Sequence, residues 1–125
     1  MLSEQPFIGF VPVSSTETAE KFYVHVLGLT VLEQSPYSLV VKSMSTMIRL
    51  TPVPELQAQP FTIAGWQVHD IENCVKTLLE RGVSFERYEG IDQDALGVWT
   101  APNGDRVAWF KDFDGNTLSL SEFAS

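Results

Sequence analysis

Basic residues are scarce in this chain. Lysine and arginine number 8 against 16 aspartates and glutamates, a formal charge of −8. Binding a nucleic-acid backbone needs a positive surface, so no DNA or RNA partner is expected. The same balance disfavours an anionic membrane surface. Cysteine is nearly absent. Cys74 stands alone, so no internal disulfide can form and no oxidising compartment is implied. The only histidines, His25 and His69, are not at ligand spacing. No apolar run approaches the ~20 residues of a membrane span. "MLSEQPF" lacks the basic start and apolar stretch of a secretory signal. A cytoplasmic protein with no membrane partner is the expectation. Neither a phosphate-cradling GxxxxGK[ST] loop nor a GxSxG elbow occurs.

What is present is ordinary globular material. The chain has 125 residues and 44% hydrophobic residues, enough for one domain over 1–125 with its own core. "PFIGFVPV" (6–13) reads as a strand. In "SSTETAEKFYVHVLG", Ala19, Phe22, Tyr23, Val26 and Leu27 fall at helical spacing, Ser14 or Ser15 can cap, and Gly28 can end the helix. Strands are expected at 29–34, 37–43 and 46–53. "PELQAQP" (54–60) is a linker bounded by prolines. The order then restarts. A strand is expected at 61–68. A helix follows over 70–82, with Asp70 as cap, Gly82 as stop, and Ile71, Cys74, Val75, Leu78 and Leu79 as its stripe. Further strands are expected at 83–89, 97–102, 106–113 and 117–123, with tight turns at Asn103-Gly104 and Asp114–Asn116.

The two halves echo each other. At a shift of 55, Ile8 matches Ile63, Val13 matches Val68, Glu17 matches Glu72 and Lys21 matches Lys76; "IRLT" (48–51) echoes "LSLS" (118–121). The expected fold is α+β, with two tandem βαβββ modules, 6–53 and 61–123, forming a curved, mostly antiparallel sheet. One helix covers one face of each module, which leaves the other face for a ligand or a partner surface.

"VSSTETAEKFYVHVLGL" resembles the opening helix of the vicinal oxygen chelate superfamily, which unites glyoxalase I, bleomycin-resistance proteins and extradiol dioxygenases. "WFKDFDGNTLSLSE" is similar to its closing motif, with Phe113 where the family usually has proline. The resemblance covers nearly the whole chain. It implies a divalent metal held by His, Gln or Glu on the first and last strands of each module. Carried over, those positions are Ile8, Arg49, Ile63 and Ser119. Isoleucine offers no lone pair, arginine is a permanent cation, and one serine hydroxyl binds weakly. A one-residue slip helps no position: the neighbours are Phe7, Gly9, Ile48, Leu50, Ala64, Leu118 and Leu120. No metal and no cofactor are expected.

Alternation adds Phe10, Thr51, Gln67 and Ser121 to the same inner face, with Trp99 and one of Trp109 or Phe110 as flat walls. The expected ligand site is thus Ile8, Phe10, Arg49, Thr51, Ile63, Gln67, Trp99, Trp109 and Ser119. Arg49 could clamp a carboxylate or phosphate, pair with a local acid, or snorkel to water. The acidic balance favours a cationic ligand and Arg49 an anionic one, so the ligand class stays open. Cys74 reads as an inert core thiol, His25 as a surface residue, and Glu33, Glu86, Glu89 and Glu122 as solvated acids. The leading reading is a metal-independent small-molecule binding protein like the bleomycin-resistance members, sequestering a drug or metabolite without catalysis. The alternatives are a lyase- or dioxygenase-type enzyme with an atypical site, and a noncatalytic interaction module. Homodimers are common in the resembled family, so a homodimer is expected.

Overall fold

A computed structural model describes residues 1–125. The chain divides into two compact units, Met1–Gln57 and Ala58–Ser125. Each holds one four-stranded mixed sheet and one main helical segment, and the first also has a short 3-10 turn at Leu2–Glu4.

In the first unit, β1 (Ile8–Val13), β2 (Thr30–Gln34), β3 (Leu39–Ser43) and β4 (Thr46–Pro52) form a sheet in the order β1-β4-β3-β2. The β1–β4 pair is parallel and the others are antiparallel. Between β1 and β2 lies α1 (Thr16–Ala19), which packs on β1 and β4. Ser15 caps it, its side chain accepting from Thr18 N at 3.1 Å. The helix then widens into a π-type segment, Glu20–Val26, where Leu27 N donates to Phe22 O at 2.9 Å. The wider winding turns the expected stripe. Ala19, Phe22 and Tyr23 are buried, while Val26 and Leu27 are only half-buried. Val11, Val13, Leu39, Val41 and Leu50 complete this core. Gln34 hydrogen-bonds Glu20, tying the edge strand to the helix.

In the second unit, β5 (Thr62–Gln67), β6 (Trp99–Thr100), β7 (Arg106–Lys111) and β8 (Thr117–Glu122) take the order β5-β8-β7-β6. The β5–β8 pair is parallel. Helix α2 (Ile71–Glu80) packs on β7 and β8. Asp70 Oδ1 caps it by accepting from Asn73 N at 3.1 Å. Glu122 Oε1 accepts from Ile71 N at 2.9 Å, so β8 also holds the helix start. Ile71, Val75 and Leu78 are buried against Ala108, Phe110, Leu118 and Leu120. Leu79 and Cys74 depart from the expected stripe: Leu79 is exposed and Cys74 half-buried. Burial, with Asp70 nearby, still pushes the Cys74 thiol up, which keeps it protonated and unreactive.

The expected strand at 83–89 does not form. Only Phe85 bridges to Phe110, and Glu86 N donates to Trp109 O at 2.8 Å. The strand expected over 97–102 shortens to Trp99–Thr100. The duplication is visible in pairing. Arg49 lies beside Phe10 as Ser119 lies beside Gly65, and Leu50 beside Val11 as Leu120 beside Trp66. Both sheets therefore use the same strand order and the same central-strand pattern. No helix is long and apolar enough to cross a membrane.

Candidate functional site

The closing hairpin sets the face of β8. Asp112 Oδ1 accepts from Asp114 N and Asn116 N, both at 2.9 Å, and Asn116 Nδ2 donates to Asp112 Oδ2 at 2.8 Å. Gly115 takes the positive φ (87°) that the turn requires. Both buried polar residues are thus engaged, and the side chain of exposed Phe113 takes no part in these bonds. Register then fixes the faces. Leu118 pairs with Phe110 and Leu120 with Ala108, all buried on the helix side. Thr117, Ser119 and Ser121 take the opposite face, paired with Lys111, Trp109 and Val107.

That settles the two-way choice left by the sequence. Trp109 belongs to the face away from the helix; Phe110 is fully buried on the helix side, near Phe85 and Trp66. Trp99 pairs with Val107 and so shares the face of Trp109. Their ring centroids are 6.2 Å apart at 33°. Gln67, paired with Ser121, lies on this face too. Alternation alone does not assign a face to Ile63. It sits where the β5 register shifts between Thr62 and Ala64, so pairing, not its own parity, places its neighbours. Ser119 is buried, and a Cβ on Gly65 would lie 2.5 Å from its Oγ. The missing side chain of Gly65 makes room for Ser119.

The surface that results is a cleft of about 440 Å³ within the second unit. Its walls are Pro60, Phe61, Thr62, Tyr88, Ile91, Trp99, Trp109 and Thr117. Tyr88 stands edge-on to Trp109, with centroids 5.4 Å apart at 83°. Of the residues expected from sequence, the cleft gathers Trp99 and Trp109. Sequence reasoning missed Tyr88, which lies in the stretch expected as a strand over 83–89, and Ile91, which follows it in the loop. Gln93 builds that loop. Its Oε1 accepts from Tyr88 N at 2.8 Å, and its Nε2 donates to Glu86 O at 3.0 Å and Gly97 O at 2.8 Å. Asp94 Oδ1 accepts from Leu96 N and Val98 N, and Arg87 donates to Ala95 O. A glutamine in a glycine-flanked loop beside a tyrosine was the one available signal.

The cleft has little charge of its own. On the face shared with Trp109 and Thr117, Lys111 pairs with Glu86 at 3.6 Å. Burial pushes the Tyr88 phenol up; Glu86 pushes the same way and Lys111 opposes. Two acids expected to be solvated are therefore engaged: Glu86 with Lys111, and Glu122 with Arg106 at 3.8 Å. His25 lies on the surface, 3.5 Å from Glu20.

In the first unit, Ile8, Phe10, Arg49 and Thr51 share one sheet face, opposite Val11 and Leu50. Ile8 and Phe10 are exposed and Arg49 is half-buried. The family's divalent metal does not fit the residues present. Ile8 and Ile63 carry no donor, Arg49 is a cation, and nowhere do three His, Cys, Asp or Glu side chains gather into a metal-binding group.

The comparisons agree with this architecture. The profile of the Glyoxalase/Bleomycin resistance protein/Dioxygenase superfamily matches residues 7–120. No curated protein matches the chain. Among solved structures, a member of this superfamily from Sphaerobacter thermophilus DSM 20745 is 25% identical, with a TM-score of 0.74, covering 98% of this chain and 100% of that one. TnmS3, an antibiotic binding protein from Streptomyces sp. CB03234, is 25% identical with a TM-score of 0.72, covering 99% of both chains. A lactoylglutathione lyase from Agrobacterium tumefaciens is 17% identical with a TM-score of 0.72, covering 95% of this chain and 93% of that one. With the paired sheets, the closing hairpin and a match spanning nearly every residue, the chain belongs to the glyoxalase/bleomycin resistance protein/dioxygenase superfamily.

Proposed function

We propose that the chain is a metal-independent small-molecule binding protein that takes a flat, largely apolar ligand in the aromatic cleft of its second unit. The observation that carries this reading is the cleft itself: Tyr88 at right angles to Trp109, with Trp99 beside it, around a space of about 440 Å³. Small-molecule sites have this size and this mix of aromatic walls with a few polar groups. Thr62 and Thr117 supply those groups here. The donor chemistry at the family's metal positions argues against a Lewis-acid reaction, and the cleft offers no nucleophile beside a base. Sequestration of a drug or metabolite is the role this supports, in line with the similarity to an antibiotic binding protein. A cytoplasmic setting and a homodimer are part of the same proposal.

Tryptophan emission tests it, because Trp66, Trp99 and Trp109 all lie in the second unit. Acridine, a flat tricycle, should quench it saturably. At about −0.4 kcal/mol per heavy atom, its Kd would be about 0.1 mM. Trp109→Ala should weaken binding roughly 5- to 30-fold, the worth of about 1–2 kcal/mol of ring contact. Equal affinity in the variant would remove the cleft from the function.

A further inference from the structure

Two arginines of this chain are half-buried, and they are treated oppositely. Arg106 meets three carboxylates: Glu72 at 3.0 Å, Glu122 at 3.8 Å and Asp94 at 3.9 Å. Arg49 meets none. No carboxylate of its own unit pairs with it, although that unit holds Glu4, Glu17, Glu20, Glu33 and Glu55. A guanidinium cannot shed its charge by deprotonating, so partial burial without a counter-ion is a standing cost.

The surroundings of Arg49 sharpen the point. It sits in the central strand β4, between exposed Phe10 on β1 and buried Val40 on β3. On the same face, the Ile8–Met47 pair lies next to Arg49 in one direction along the strands and Thr51 in the other. Lys42, paired with Met47, adds a second cation on this face. Glu33 on β2, paired with Val40, lies on this face two strands from Arg49 and makes no ion pair with it; with Arg49 and Lys42 the face stays net positive in a chain of net charge −8.

We propose that Arg49 is the anion receptor of a second small-molecule site on this sheet face, and that its ligand is an organic carboxylate carrying an apolar or aromatic body. The planar fork of Arg49 matches a carboxylate with two parallel N–H···O bonds. Phe10, Ile8 and Met47 supply contact for the body. A phosphate monoester would bring a second negative charge into the same apolar rim, where its desolvation costs more and one fork cannot answer it. A second copy docked two-fold on this face would bring two Arg49 and two Lys42 cations together. The proposal rests on the reading of the chain as a small-molecule binder, but not on the aromatic cleft of the second unit.

The probes are naphthalene-2-carboxylate, naphthalene-2-carboxamide and 1-naphthyl phosphate, followed by amide chemical shifts in the full-length protein. Carboxylate should bind about tenfold tighter than carboxamide, with shifts at the amides of Phe10, Arg49 and Thr51. Arg49→Gln should erase the difference between the two probes. Arg49→Lys should keep about a third of the advantage, because charge survives and the fork does not. Equal binding of both naphthalene probes to the wild type overturns the proposal. So do carboxylate shifts confined to the Tyr88–Trp109 cleft, or phosphate binding tighter than carboxylate. If carboxylate fails and sedimentation shows a dimer that Arg49→Gln dissociates, the counter-ion belongs to a second copy and the proposal falls. Acridine separates the two readings. Acridine binding without an Arg49-dependent carboxylate sinks only this proposal; the reverse sinks only the aromatic cleft.

Discussion

Replacing Gly65 by alanine would place a Cβ 2.5 Å from Ser119 Oγ and 3.0 Å from Ser119 O. The two contacts differ in kind. The hydroxyl can rotate away at small cost. The carbonyl can move only with β8, which is paired to β5 on one side and β7 on the other. Forcing an extra group into such a place typically costs about 1–3 kcal/mol. Alanine returns roughly 0.5–1 kcal/mol over glycine within a strand. The net expectation is a loss of about 0.5–2 kcal/mol. In a chain of this length that lowers Tm by roughly 2–10 °C. Gly9 is the internal control. A Cβ there would meet Ile48 Cγ1 at 3.7 Å and Met47 O at 3.9 Å, which is ordinary contact. Gly9→Ala should therefore be neutral or gain about 0.5 kcal/mol. Urea unfolding followed by tryptophan emission reads Gly65→Ala in the unit that holds all three tryptophans, and far-UV circular dichroism reads Gly9→Ala. Adding Ser119→Ala to Gly65→Ala should recover only the hydroxyl part. A Gly65→Ala protein as stable as wild type would refute the crowding of β5 against β8, and with it the placement of Ser119.

Two further outcomes follow from the cleft loop. The Tyr88 phenol is held protonated beyond its usual range by burial first and Glu86 second, against the pull of Lys111. Glu86→Gln should bring its pKa down and Lys111→Met should raise it further, read as absorbance at 295 nm against each protein's Tyr88→Phe counterpart. For linkage, a raised folded pKa means this contribution to stability is intact below the unfolded value near 10. It is lost as pH rises through the folded pKa, so Tyr88→Phe should flatten the alkaline fall in stability; a steeper fall would contradict the environment described. Gln93→Ala removes three hydrogen bonds from the loop, a local cost of about 1–3 kcal/mol. Tyr88 N–H should then exchange roughly tenfold faster or more, and acridine should bind more weakly. Unchanged exchange would mean that Gln93 does not hold the loop.

Much of the fold could be read from particular residues. Asp70 and Gly82 bracket α2, the Asp112–Asn116 turn closes β7 onto β8, and the echo of "IRLT" in "LSLS" became matched pairing in two sheets. These signals are local, or they repeat with the period of the structure. The failures came where side chains override periodicity. "VSFERYE" has strand-like composition, yet past the single Phe85–Phe110 bridge and its Glu86 N–Trp109 O bond, Gln93 takes up backbone groups that a strand would use. For the same reason Tyr88 was invisible as a site residue, since its position depends on a glutamine five residues away. Trp109 and Phe110 could not be told apart by type; only the register of β7 on β8 assigns one to the cleft and the other to the core. At Ile63 counting in twos meets the β5 register shift, so alternation alone does not assign its face.

The most direct test of the aromatic cleft is an amide-shift titration of the wild-type protein with acridine. Saturable shifts gathered at Phe61, Thr62, Tyr88, Trp99, Trp109 and Thr117, and lost in Trp109→Ala, are the expected result. Shifts scattered over the outer face of α2, or no saturable shift up to the solubility of acridine, would contradict it.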